Sequence, residues 1–202
     1  MSARIEQVVV SGVFSLDGQD FDVDNNVWLV GDDDQVLVID APHRPEPIVD
    51  AVGGRKVAGI VLTHGHNDHI TAAVALREAV DAPIWFPAAD RMLWDMTHPD
   101  TIPDEDLRPG TRFTVAGTTL TALHTPGHSP GSTCLHAPDL GTVFTGDTLF
   151  RGGPGATGRS YSDHPTILDS IRTHLLTLHG DTIVKTGHGD DTTIEQEVPN
   201  VS

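Results

Sequence analysis

Four times along this chain a short apolar run ends in a histidine or an aspartate set close to glycine. The segments are VAGIVLTHGHNDHI from Val57, LTALHTPGHSPGS from Leu120, TVFTGDTLF from Thr142 and TIVKTGHGD from Thr182. Short β-branched runs read as strands, and glycine lets the backbone turn sharply beside a bulky group. Ends of strands are where layered α/β folds place their ligand sites.

The remaining elements fit such a layering. Strand-like runs lie at Val27–Val30, Val36–Ile39, Val57–Leu62, Pro83–Phe86, Arg112–Val115, Thr118–Leu123, Ser132–His136, Thr142–Thr145 and Thr182–Lys185. Helical patterns cover Pro45–Val52, Asp68–Val80, Ala88–Met96 and a stretch from His164 to Leu178. Each half of the chain contains a crossover, so two βαβ-like halves are expected. At 202 residues and with no dividing linker, residues 1–202 read as one domain. GDDDQ at Gly31–Gln35 lacks the further ligands of a calcium loop and reads as a hairpin turn. The polar stretch from Asp100 to Gly110 reads as a surface connection.

In THGHNDHI, His64 and His66 alternate with Gly65 and Asn67, so an extended backbone can aim both imidazoles the same way. Asp68 and His69 follow at a helix start. Asp68 alone would read as a cap. Donors packed this tightly gain nothing that offsets their desolvation unless a cation joins them.

The set His64, His66, Asp68, His69, His128, Asp147 and His188 resembles the signature of the metallo-β-lactamase superfamily, with its order intact. That resemblance implies an αββα sandwich with a metal centre at one edge of the sheets. It also implies His64, His66 and His128 on one divalent ion, Asp68, His69 and His188 on a second, and Asp147 bridging both. Nitrogen and oxygen donors without thiolate suit zinc, and iron or manganese fit as well. Two such ions sharing a hydroxide would attack an activated acyl group, Asp68 being available for proton transfer. With no separate general acid in view, a thiolate is the leaving group that fits, since it departs unprotonated.

Within the superfamily the second site resembles that of hydroxyacylglutathione hydrolases (glyoxalase II). Zinc β-lactamases carry a Cys where this chain has a later ligand, and acyl-homoserine lactonases carry a Tyr where it has Phe150. A mononuclear iron persulfide dioxygenase, which resembles the chain in needing only His64, His128 and Asp147, is the alternative; its loop reads Gly-Arg-Thr-Asp, against Gly-Arg-Ser-Tyr at 158–161 here. A non-enzymatic relict would have lost ligands, and none is missing. Arg159 and Tyr161 either grip a substrate carboxylate or amide or anchor their loop, and His43 either reaches the mouth of the site or belongs to a plain surface loop. The other histidines read as structural.

Charge narrows the partners. Lys and Arg number 12 against 29 Asp and Glu, a net charge of −17, which opposes binding to a phosphate backbone. No apolar run has the length of a membrane span, and the N-terminal residues lack the apolar core of a signal peptide, so a cytoplasmic protein is expected. Cys134 reads as a buried thiol. The expected substrate is a small acyl-thiol. Glyoxalase II enzymes hold glutathione with a basic C-terminal extension that has no counterpart after His188, and the arginine-rich, lysine-poor composition suits a GC-rich genome, so the carrier is mycothiol or glutathione. Oligomeric state is not encoded in any motif.

Overall fold

The computed structural model describes residues 2–201 and has the αββα architecture. The first sheet holds six strands in sequence order: β1 (Arg4–Leu16), β2 (Gln19–Gly31), β3 (Gln35–Ile39), β4 (Lys56–Val61), β5 (Ile84–Phe86) and β6 (Glu105–Asp106). Its first three strands pair antiparallel and the rest parallel. The second sheet contains β7 (Arg112–Val115), β8 (Thr118–His124), β9 (Thr133–Ala137) and β10 (Thr142–Gly146). A short hairpin, β11 (Leu149–Phe150) with β12 (Gly153–Pro154), follows, and the second sheet is completed by β13 (Ile183–Thr186) and β14 (Thr192–Thr193).

Period-two alternation builds the layers. On β3, Leu37 and Ile39 face the second sheet, where they join Trp28, Val61, Leu135 and Phe144 in a core between the sheets. Val36 and Val38 point the other way, into a cluster with Ile48, Leu76 and Trp94 from the outer helices. Those helices are α1 (Glu46–Val52), α2 (Asn67–Ile70), α3 (Ala73–Val80) and α4 (Arg91–Thr97). Beyond the second sheet, Val143 and Val184 pack against Ile167 of α5 (His164–Ser170) and Ile194 of α6 (Ile194–Glu197). Strands covered on both faces are expected to be apolar throughout, and β3, whose residues from Val36 to Ile39 are all buried, is the clearest case.

Three features depart from the pattern read in the sequence. Residues 4–26 form most of a long hairpin of two 13-residue strands, where the strand reading began only at Val27. The helix expected over Asp68–Val80 is two helices, because the chain turns at Thr71 and Ala72. The second half is antiparallel except for the β10–β13 pair, the one crossover there passing through α5. GDDDQ is the tight turn expected, with Asp32 Oδ1 accepting the N–H groups of Asp34 and Gln35 at 3.0 Å.

Candidate metal centre

All seven signature residues converge at the ends of strands. His64 and His66 lie in the loop after β4, Asp68 and His69 in α2, His128 between β8 and β9, Asp147 just past β10 and His188 just past β13. His64 Nε2 is 3.1 Å and His128 Nε2 2.9 Å from His66 Nδ1. His69 Nε2 and His188 Nε2 are 3.2 Å apart, with Asp68 Oδ2 3.2 Å from the latter. The Asp147 carboxylate lies between the two groups, 3.3 Å from His69 Nε2 and 3.5 Å from both His128 Nε2 and His188 Nε2. Donors arranged around one ion at about 2.0–2.2 Å stand about 3 Å apart, so this spacing suits metal ligation.

For every ring but that of His66, the far side says which nitrogen carries the proton. His128 Nδ1 donates to the Ala156 carbonyl and His188 Nδ1 to that of Asp24, both at 2.8 Å. His69 Nδ1 donates to Asp40 Oδ2 at 2.8 Å. Thr63 Oγ1 spends its proton on Asp40 Oδ2 and therefore accepts from His64 Nδ1 at 3.1 Å. With the outer nitrogens of His64 and His128 protonated, their inner lone pairs both face His66 Nδ1, an arrangement that a shared cation relieves. Asp68 Oδ1 and Asp147 Oδ1 are buried with no hydrogen-bond partner among the described residues. Unpaired buried carboxylate oxygens are costly, and a cation removes that cost. The cluster is thus suited to metal ions.

Its titration follows from burial and from neighbours. Burial first, then the nearby His128, pushes His66 down to about 3, and burial also holds His64 well below the ordinary range. Burial would lower His188 too, but Asp147 and Asp68 carry it up to about 10. His69 is likewise raised against its burial by Asp147, Asp68 and Asp40. Burial would raise Asp147, yet His188 and His69 hold it well below the carboxylate range.

Three supporting residues escaped the sequence reading. Asp40, directly after β3, ties His69 to Thr63. Asp90, completely buried, accepts from the backbone N–H groups of Gly65 and Gly131 and from Ser129 Oγ, joining the His64–His66 loop to the His128 loop. Asn25, equally buried, donates from Nδ2 to Asp68 Oδ2 at 3.1 Å and accepts from His43 Nε2 at 2.7 Å. An acid ending an apolar run was the available signal for Asp40; Asp90 and Asn25 had none.

The centre floors a cavity of about 620 Å³ whose lining includes His66, Asp68, His128, Asp147, His188 and Arg159. Neither His43 nor Tyr161 lines it. His43 instead sits behind Asn25, its ring filling the space beside Gly12 where a Cβ would stand 2.2 Å away. Tyr161 is 42% exposed. Arg159 anchors its loop to the first hairpin, donating from Nη1 to Gln19 Oε1 at 3.0 Å and stacking 4.5 Å from the Phe21 ring centre.

Comparison with known proteins agrees with this geometry. Hydroxyacylglutathione hydrolase GloC of Haemophilus influenzae is 32% identical over 188 residues, covering 85% of this chain and 89% of that protein. TTHA1623, solved in a di-iron-bound form, superimposes with a TM-score of 0.78 at 31% identity, over 88% of this chain and 94% of that one. ETHE1 from Myxococcus xanthus gives a TM-score of 0.72 at 26% identity, over 96% and 83%. Residues 21–188 match the family profile of the Metallo-beta-lactamase superfamily, and with the fold and the ligand cluster in agreement the chain belongs to that superfamily as a metal-binding hydrolase.

Proposed function

We propose that the protein is a dinuclear metallohydrolase that cleaves the thioester of a small acyl-thiol, with mycothiol or glutathione as the carrier, in the cytoplasm. The observation that carries this reading is the complete donor set, every ligand histidine but His66 held by an acceptor on its outer nitrogen, on the floor of an open cavity. His64, His66 and His128 would hold one divalent ion and Asp68, His69 and His188 the other, with the Asp147 carboxylate within reach of both groups. Zinc suits these donors, and iron or manganese is accommodated by the same atoms. Bound ions supply a nucleophile at neutral pH and polarise the acyl carbonyl.

The chain's own groups do the rest. Asn25 donates to Asp68 Oδ2, and the Asp68 carboxylate in the wall of the cavity is held where it could take up or return a proton. The departing thiolate needs no strong acid, because its parent thiol has a pKa of about 8.5. Phe150 occupies the position where a lactonase would place a phenol, so a lactone's alkoxide would find no donor there.

Metal analysis and a thioester panel test the proposal. Two ions per chain with S-lactoyl or S-formyl thioester hydrolysis are expected. One iron per chain with oxygen uptake on a thiol persulfide would replace this reading with the dioxygenase.

A further inference from the structure

We propose that Asn25 is a further ligand of the centre: its side-chain amide turns its oxygen, in place of its nitrogen, towards an ion held by Asp68, His69 and His188. This rests on the two-ion assignment of the proposed function and not on the thioester reaction.

The Asn25 amide stands at the open corner of that donor group. Its Nδ2 is 3.1 Å from Asp68 Oδ2, 3.2 Å from His69 Nε2 and 3.4 Å from His188 Nε2. Those three donors are themselves separated by 3.2 Å between His69 and His188, 3.2 Å between Asp68 and His188 and 3.6 Å between Asp68 and His69. Four atoms at near-equal separations outline a tetrahedron. One with edges of about 3.3 Å has its centre about 2.0 Å from each corner, the length of a zinc–nitrogen or zinc–oxygen bond. Three of the corners are ligand atoms by type. The fourth is an NH₂ group, which has hydrogens and no lone pair to offer.

Rotation about the terminal side-chain bond exchanges the amide nitrogen and oxygen, and that torsion is a broad, two-fold one. Without an ion NH₂ is the better group at this corner, because Asp68 Oδ2 accepts from it. With a cation at the centre the preference reverses, since the NH₂ hydrogens would face the ion while a carbonyl oxygen turns lone pairs to it. The Asn25–Asp68 bond thus belongs to the ion-free protein. The outer end of the amide tolerates either orientation. It meets His43, whose Nε2 lies 2.7 Å from Asn25 Oδ1. A neutral imidazole donates from that nitrogen in one tautomer and accepts there in the other, so His43 can bond the carbonyl before the turn and the NH₂ group after it.

The corner is also held in place. Asn25 is completely buried on β2, and its neighbours on that strand are tied to the His188 loop. The Asp24 carbonyl accepts from His188 Nδ1 at 2.8 Å, and the Asn26 N–H donates to the Gly187 carbonyl at 2.8 Å. The Asn26 amide donates to the carbonyls of Thr186 and Gly189 at 3.1 and 2.9 Å. These bonds fix the Asn25 backbone against His188, as a ligand position requires. With Asp147 in reach of both groups, this side would offer five protein donors and the other four, so the side with fewer keeps more positions for water and substrate.

The test uses the full chain, stripped by a chelator and titrated with zinc. In isotope-labelled wild-type protein at about pH 8, where an ordinary imidazole is neutral, nitrogen chemical shifts should place the His43 proton on Nε2 without zinc and on Nδ1 with two ions bound. Asn25→Leu, which keeps the volume and removes the oxygen, should weaken binding of the second ion at least about tenfold by calorimetry. Asn25→Asp separates a ligand from a hydrogen-bond donor: its carboxylate supplies the oxygen and no hydrogen, so two ions should still bind. A His43 tautomer that zinc leaves unchanged, wild-type affinity for both ions in Asn25→Leu, or loss of the second ion in Asn25→Asp would each overturn the proposal while leaving the proposed function standing. One ion per wild-type chain would overturn it together with the two-ion assignment.

Discussion

Asp90 accepts the Gly65 N–H at 2.8 Å from a position where it has no access to solvent. Through the same carboxylate it holds Ser129 and Gly131, so one side chain fastens the two loops that supply His64, His66 and His128. The fit is close: a Cβ on Gly131 would lie 2.7 Å from the Asp90 carboxyl carbon, and one on Gly65 2.9 Å from its Cβ. Asp90→Ala leaves two buried backbone donors, the Gly65 and Gly131 N–H groups, unsatisfied at about 1–3 kcal/mol each before relaxation. A melting temperature lowered by at least several degrees is expected, with weaker metal binding at the His64, His66 and His128 cluster; unchanged thermal unfolding and metal titration curves would remove Asp90 from this role.

The metal-free protein should be most stable near neutral pH. His66, at about 3, and His64, also depressed, remain neutral in the fold while an unfolded histidine protonates near 6.5. Their contribution is therefore complete above about 6.5 and is lost as pH falls. His188, raised to about 10, works in the opposite sense: its contribution is complete below about 6.5 and is lost as pH rises towards 10. Melting temperatures of the chelated protein from pH 4 to 10 should form a dome, and a metal should flatten its alkaline limb by replacing the proton on His188. A profile rising steadily to pH 10 would contradict the assignment.

Gly187 is required by the position of Asp147. A Cβ there would stand 2.3 Å from Asp147 Oδ1 and 2.9 Å from His69 Cε1. Gly187→Ala must therefore move the carboxylate that reaches both donor groups. Displacing such a group by about 1 Å costs about 100-fold in rate. The variant should fold, since Gly187 donates its backbone N–H to Gly146 regardless of side chain, and should lose at least one ion per chain by elemental analysis.

The candidate ligands were legible because they gather at or just beyond the ends of strands whose apolar residues mark them in the sequence: His64 and His66 after β4, His128 after β8, Asp147 after β10 and His188 after β13, with Asp68 and His69 in the helix that follows β4. β2 beyond Val27, β3, β4 and β10 were legible for the same reason. The N-terminal hairpin was not, because half of it stands away from the core and carries Asp20, Asp22 and Asp24 on exposed positions. Its one local sign is Asp17-Gly18, whose φ values of 55° and 72° make the tight turn that joins strands of this twist. Asn25 and Asp90 had no sign at all, since each acts on residues at least 18 positions away. Arg159 was legible as a candidate, but only the folded hairpin decides that its guanidinium lies against Phe21.

Asp40 sets the tautomer of His69, and exchanging one of its oxygens for an amide should show it. The carboxylate accepts from Thr63 N, Thr63 Oγ1 and His69 Nδ1, all within 2.9 Å. Asp40 also has a φ of 65°, a conformation that asparagine tolerates as well as aspartate, so Asp40→Asn should keep the backbone. The Thr63 N–H demands an acceptor at Oδ1, which places the new NH₂ group at Oδ2, facing the His69 ring. His69 then accepts at Nδ1 and carries its proton on Nε2, where the metal lone pair is needed. Loss of such an outer partner weakens metal binding by about 10–100-fold. On the proposed two-ion assignment, calorimetric titration should show that weakening at the Asp68, His69 and His188 site, with little change at the His64, His66 and His128 site. Equal weakening at both ions would mean that Asp40 supports the loops rather than the His69 tautomer.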